Sequence, residues 1–314
     1  MTTAPVVTVT EVGMRDGLQL EERRLPTEEK ITLTAALAAA GFRRIEVGSF
    51  VSPKAVPSMA DTGEVLAGLL RGGPPRGGAT ATAAMNTEYQ VLVANDRGVA
   101  AALEAGAGAI NVVVAATESM NQRNVRRSVD ESVKVTAEAV AAAGSVPVAA
   151  IVAVAFRCPY EGPVAPETTL AVVDRLVGDG VGRITLADTI GAAGPRAVGE
   201  LVAAVRGRHP HVEVGFHGHD TRGLGVANVL AAVDAGAAAV DASVGGLGGC
   251  PFAGKGASGN VASEEVLGML EDAGIPTGVD VDGVAAVALE LERLLGHPLP
   301  SRRLALFKAT GSAR

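Results

Sequence analysis

The segment Ala40-Gly41-Phe42-Arg43-Arg44-Ile45-Glu46-Val47 holds in miniature the pattern on which the chain is built. An alanine-rich helical stretch stops at a glycine, and a short β-type run follows within a few positions. Glycine suits a helix end because it enters the left-handed region without a Cβ clash. The unit returns at Ala105-Gly106 before Ile110-Asn111-Val112-Val113, at Ala143-Gly144 before residues 148–154, at Asp179-Gly180 before Ile184-Thr185-Leu186, and at Ala235-Gly236 before Val240-Asp241-Ala242-Ser243. Strands alternating with helices at this spacing predict βα units and a parallel sheet.

Three further β-type runs complete the set. The predicted strands lie near 6–14, 43–50, 89–94, 110–116, 146–156, 183–188, 212–219 and 238–244. Eight strands, each followed by a helix, give an α/β fold of the (β/α)8 TIM-barrel type, which takes about 250 residues. A doubly wound open sheet is the weaker alternative, because the first βα turn, Gly13-Met14-Arg15-Asp16-Gly17, lacks the G-x-G-x-x-G pattern. Residues 70–81, with Gly72-Gly73-Pro74-Pro75, read as a loop, and 245–260 as a glycine-rich segment of mobile character. A helical pattern at 281–296 lies beyond the eighth unit. The expected division is a barrel over 1–278 and a C-terminal helical appendage over 279–314 packed on it.

Composition sets the outer bounds. Hydrophobic residues make up 48% of the 314, aromatics only 3%, and Trp is absent, so a large core has to come from Ala, Val, Leu and Ile. A net charge of −7 with no long basic run argues against a nucleic-acid partner. The apolar stretch at 146–156 is too short to span a bilayer as a helix, so no membrane association is expected. Residues 1–5 show no leader-like charge, and Cys158 and Cys250 make no disulfide framework, so the expectation is a cytoplasmic protein.

The chemistry gathers at strand ends. Val212, Val214 and Phe216 alternate as a strand does, and His217 and His219 follow two apart. Residues i and i+2 of a strand share a face, so both imidazoles project together, as one metal ion would need; a meeting with solvent or a carboxylate is the plainer alternative. In a (β/α)8 barrel the catalytic groups sit at the C-terminal ends of the strands. Strand 1 ends in Arg15-Asp16, strand 2 carries Glu46 and then Ser49, strand 6 ends in Asp188-Thr189, and the loop after strand 8 carries Cys250 and Asn260. Taken singly, each has an ordinary reading: a turn ion pair, a paired carboxylate, an inert thiol. Converging on one mouth, they point to catalysis. Arg123, Arg126 and Arg127 follow strand 4 at the same end and would meet the phosphates of a phosphate-bearing ligand, which the resemblance described next identifies as CoA, against the alternative of a solvated basic face. His209, His211 and His297 read as surface residues.

Several blocks carry a resemblance. TVTEVGMRDGLQ (8–19), IEVGSFVSPKAVPSM (45–59), CPYEG (158–162), DTIG (188–191), HGHDTRG (217–223) and GGLGGCPFAGKGASGN (245–260) resemble, in order, the signature blocks of the 3-hydroxy-3-methylglutaryl-CoA lyase family of metal-dependent TIM barrels. The resemblance implies Asp16, His217, His219 and Asn260 as ligands of Mg2+ or Mn2+. It implies Arg15 as the stabiliser of an enolate, Cys250 as the loop thiol that handles a proton, and Glu46 and Asp188 as carboxylates that support the metal site and position substrate. It implies an acyl-CoA substrate split into acetyl-CoA and a 3-keto acid, acetoacetate for the methyl compound, by a homodimer. Cys158 becomes a structural or access-loop residue. Departures from the family pattern fall at Leu20, Ala149, Ile151 and Arg222, and the stretch between Cys250 and Asn260 is slightly longer. Since these flank the acyl group, the resemblance leaves room for a larger or more apolar C3 substituent. Two other readings compete: an acetyl-CoA-dependent condensing synthase of the same superfamily, and a non-catalytic barrel scaffold.

Overall fold

The computed structural model of the chain describes residues 7–72, 87–249 and 259–314. Gly41, Gly106, Gly144, Gly180 and Gly236, the glycines expected to stop helices, all have φ between +61° and +110°. Each hands the chain to a strand. β1 (Thr8–Glu11), β2 (Arg44–Phe50), β3 (Glu88–Val93), β4 (Ala109–Ala115), β5 (Val148–Ala153), β6 (Arg183–Asp188), β7 (Glu213–Gly218) and β8 (Ala239–Ala242) form a closed parallel barrel among the described residues. Closure is made by β8 on β1, in register from Thr8 against Ala239 to Glu11 against Ala242. That pairing removes the open-sheet alternative.

The strands are shorter than the sequence suggested, for local reasons. β1 stops at Glu11 because residues Gly13–Gly17 wind into a π-helical turn. There the N–H groups of Arg15, Asp16 and Gly17 all return to the Val12 carbonyl. β5 stops at Ala153, where Val154 takes φ +50°. Of the loop expected at 70–81, Leu70, Arg71 and Gly72 instead end the helix Thr62–Gly72, and 73–81 lie outside the described residues.

Strand alternation sorts the side chains. Val91 and Val93, Val112 and Val114, Val214 and Phe216 point outward and are buried under the helices. The core they join is continuous with Val281, Val284, Leu291 and Leu304 of the C-terminal helices Val281–Leu295 and Arg302–Thr310. Inward-pointing residues fill the lumen. Its base is closed by the first residues of four strands. Arg44 pairs both its terminal nitrogens with the Glu213 carboxylate, and Arg183 donates to Glu88 at 2.6 and 3.1 Å. Arg44 Nε also lies 3.5 Å from Glu88, and Arg183 Nε 4.0 Å from Glu213, so the four charges alternate in one plug. Above it lies a cavity of about 30 Å3 lined in part by Gln90, Asn111, Ala149, Ile151 and Thr185.

Candidate active site

The opposite end of the barrel collects the groups named from the sequence. The π-helical turn after β1 places Arg15 and Asp16 over the lumen. Arg15 donates through Nε to Glu46 Oε2 on β2 and through Nη1 to Asp16 Oδ1, both at 2.5 Å. Glu46 is fully buried, and its other oxygen accepts from Asn111 Nδ2 at 2.8 Å. Burial pushes the Glu46 carboxyl up, against the pull of Arg15 and the Asn111 bond. Burial also works against the charge on Arg15, but Glu46 and Asp16 more than offset it and hold the guanidinium charged.

Asp16, His217 and His219 bring one ligand atom each within 4.8 Å of one another, and the two imidazole centroids are 5.2 Å apart. Burial would raise the Asp16 carboxyl, yet Arg15, the two histidines and a bond from Asn260 hold it at about 2, so it is an anion. Burial and the neighbouring His217 push His219 down to about 4, which keeps it neutral with its lone pair free. His217 Nδ1 donates to Asp241 Oδ2 on β8 at 3.2 Å, which leaves Nε2 as the nitrogen able to bind an ion. Asn260 is delivered by a backbone bridge to His219, and its Nδ2 donates to Asp16 Oδ2 at 2.9 Å. Two buried atoms of this cluster, His219 Nδ1 and Asn260 Oδ1, have no hydrogen-bond partner among the described residues. Buried polar atoms are rarely left unsatisfied. Two nitrogen donors, a carboxylate and an amide oxygen are what a divalent cation of the magnesium or manganese kind accepts. The residues therefore fit such an ion.

The remaining candidates divide. Asp188 is buried at the end of β6, and both its oxygens accept backbone N–H groups, from Ala192 at 2.8 Å and Ala193 at 2.9 Å. Burial pushes its carboxyl up, while those bonds and the charges of His217 and Arg222 pull against it. Cys250 lies outside the described residues. Ser49 is buried, its hydroxyl without a partner among the described residues. Arg123 and Arg126 are exposed and, with Lys54, Leu92 and Val113, line a cleft of about 690 Å3 on the β2–β4 side of the mouth. Arg123 also lies over the Tyr160 ring at 4.3 Å. Arg127 lines the same cleft, but its guanidinium donates to the Ala94 carbonyl at 2.7 Å and so also fastens the loop after β3. Leu20 is exposed, and Ile151 lines the lumen on β5. Cys158 is buried and accepts from Thr117 Oγ1 at 3.2 Å, as a structural residue would.

Sequence reasoning missed Asp241 and Asn111, which orient His217 and Glu46. His209 and His297, read from the sequence as surface residues, pair with Asp174 at 2.7 Å and Glu21 at 2.8 Å.

The HMGL-like family profile matches residues 6–289. The chain belongs to the HMGL-like family. It is 41% identical over 310 residues to the hydroxymethylglutaryl-CoA lyase of Pseudomonas mevalonii, covering 98% of each chain. It is 40% identical over 298 residues to the 3-hydroxy-3-isohexenylglutaryl-CoA/hydroxymethylglutaryl-CoA lyase of Pseudomonas aeruginosa, covering 94% of this chain and 95% of that one. A solved A. baumannii HMG-CoA lyase, in complex with coenzyme A and 3-methylmalate, shares the fold with a TM-score of 0.87 at 39% identity, covering 99% of this chain and 97% of that one. This chain is accordingly a carbon–carbon lyase of the HMG-CoA lyase type with an acyl-CoA substrate. No helix among the described residues is long and apolar enough to cross a membrane.

Proposed function

We propose that the protein cleaves 3-hydroxy-3-methylglutaryl-CoA, or a homologue with a larger C3 substituent, to acetyl-CoA and a 3-keto acid. The observation that carries this reading is the pair of orphaned acceptors, His219 Nδ1 and Asn260 Oδ1, beside the Asp16 carboxylate. Asp16, His217, His219 and Asn260 would hold Mg2+ or Mn2+, which when bound supplies Lewis acidity to the substrate hydroxyl. The hydroxyl proton has an acceptor in the Asp16 carboxylate. Loss of that proton drives the tertiary alkoxide to a ketone as the C2–C3 bond breaks, and its electron pair moves into the thioester as an enolate. Arg15, fixed by Glu46, offers its charge to that enolate. The Cys250 thiol returns a proton to the enolate carbon and completes acetyl-CoA. Asp188 positions the loop after β6 beside the substrate. Arg123 and Arg126, with Arg127 in support, receive the CoA phosphates.

The lumen wall supports the wider substrate range. Leu92, Val113 and Ile151 alternate with outward-facing core residues on β3, β4 and β5, and each is only half-buried. They give the C3 substituent an apolar surface. The same proposal carries a homodimer and a cytoplasmic location. The test is a product assay on metal-loaded protein with 3-hydroxy-3-methylglutaryl-CoA, detecting acetyl-CoA and acetoacetate, with Cys250→Ala as control. Turnover lost in the variant supports the scheme; turnover unchanged by it removes Cys250 from the proton step. No turnover with this substrate or bulkier homologues overturns the lyase assignment.

A further inference from the structure

The turn that leaves β7 carries an arginine without a hydrogen-bond or ion-pair partner among the described residues. Asp220 N–H donates to the Gly259 carbonyl at 3.0 Å, Asp220 Oδ1 accepts from Gly225 N–H at 2.7 Å, and Gly223 N–H closes on the Asp220 carbonyl at 2.9 Å. This fastens a tight turn with Thr221 and Arg222 at its tip, three residues beyond His219. Arg222 is exposed and enters no hydrogen bond or ion pair among the described residues. By contrast Arg15, Arg44 and Arg183 are all paired. Arg222 stands near enough to Asp188 for its charge to act there, as His217's does. It lies in the turn after β7, three residues beyond His219, at the end of the barrel that holds the metal cluster.

The rim then has a charge order. The exposed cations Lys54, Arg123 and Arg126 line the cleft by β2–β4. The Asp16–His217–His219 cluster spans the ends of β1 and β7. Arg222 stands beyond it. A monothioester of a 3-hydroxy dicarboxylic acid has the same order: phosphates at one end, a hydroxyl in the middle, a free carboxylate at the other. A cation would meet that carboxylate best. Arg15 is already committed to Glu46 and Asp16, and the β5 residues that line the lumen cavity, Ala149 and Ile151, are apolar.

Building on the lyase reading, we propose that Arg222 binds the free carboxylate of the acyl group and so sets the direction in which the substrate lies across the metal cluster. Arginine can meet a carboxylate with two parallel N–H bonds, which fixes orientation as well as charge. Arg222 also discriminates, since a 3-hydroxyacyl-CoA without the carboxylate leaves it unmatched.

The test compares two ligands that differ in that group, 3-hydroxyglutaryl-CoA and 3-hydroxybutyryl-CoA. Their binding to magnesium-loaded wild type, Arg222→Ala and Arg222→Lys is measured by calorimetry, with coenzyme A alone as reference. The expected result is a wild-type preference for the carboxylate-bearing ligand on the order of tenfold. Arg222→Ala should abolish that preference, Arg222→Lys should keep part of it, and coenzyme A should bind all three alike. A preference that survives in Arg222→Ala, its absence from the wild type, or an equal loss for every ligand would overturn the proposal. Wild-type turnover of 3-hydroxy-3-methylglutaryl-CoA, assayed on the same preparations, separates this outcome from failure of the lyase reading. Turnover with an unchanged preference removes only Arg222's role.

Discussion

At the scale of single residues, the site depends on side chains that touch no substrate. Glu46 fixes the Arg15 guanidinium, and Asn111 fixes Glu46. Replacing Glu46 with Gln removes the charge that orients Arg15 but keeps the shape, and kcat is expected to fall roughly 10²-fold in steady-state assays, the size of a lost preorganised donor. A decrease of less than about twofold would show that Arg15 finds its place without Glu46. Asp241 does for His217 what Glu46 does for Arg15. Asp241→Asn frees the imidazole to take the other tautomer, and Mn2+ affinity, read by calorimetric titration, should weaken by about 10- to 100-fold. Asp16, His217 and His219 were legible from the sequence because strand ends of a barrel converge by rule. Asp241 was not, because Val240-Asp241-Ala242 reads as any strand; only the register that sets Asp241 opposite His217 gives it a role.

At the scale of elements, the turn Val244–Gly246 is held from beneath by two buried acids. Glu11 accepts from Val244 N–H at 2.9 Å, Gly13 N–H at 2.7 Å and the Ser263 hydroxyl at 2.5 Å. Glu264 accepts from Gly245 N–H at 2.9 Å, and Ser301 N–H donates to the Gly245 carbonyl at 3.2 Å. Burial pushes Glu11 up to about 7 and Glu264 to about 8, the latter raised further by Glu11. A carboxyl whose folded pKa exceeds its unfolded one binds its proton more tightly when folded. Its stabilisation is full below pH 4.5 and is lost as pH rises through 7 to 8, by roughly 3 kcal/mol for Glu11 alone. Glu264→Gln keeps an acceptor for Gly245 and cannot ionise. Urea melts at pH 5 and pH 8 should therefore show a smaller decline for the variant than for the wild type; equal declines would rule Glu264 out as the source. Gly245 itself has φ +68°, and a Cβ there would strike Leu299. Gly245→Ala should cost more than about 1 kcal/mol by the same melts. The glycine-rich character of this segment was plain in the sequence. The acids under it were not, since Glu264-Glu265 looks like the ordinary acidic first turn of a helix.

At the scale of the whole molecule, the barrel and its last helices share one core. Leu37 and Phe42 of the first βα unit belong to the same cluster as Val284 and Leu291. We propose that residues 279–314 are an appendage in sequence only. A chain ending at 278 should then fail to give a cooperative thermal transition by circular dichroism, whereas an independent barrel would melt near the full-length protein. The helix–glycine–strand repeat made the eightfold closure legible, because local turn chemistry and strand period agree in every unit. The base of the lumen was hidden, since Arg44, Glu88, Arg183 and Glu213 lie far apart in the chain and meet only when the strands close. Their plug makes the barrel a cup, so traffic has one door. Whatever enters acyl-first leaves by the way it came, with the nucleotide of CoA standing in the doorway. Product-inhibition kinetics should accordingly find both products competitive with incoming substrate for that single opening, a constraint imposed at the far end of the barrel by four side chains.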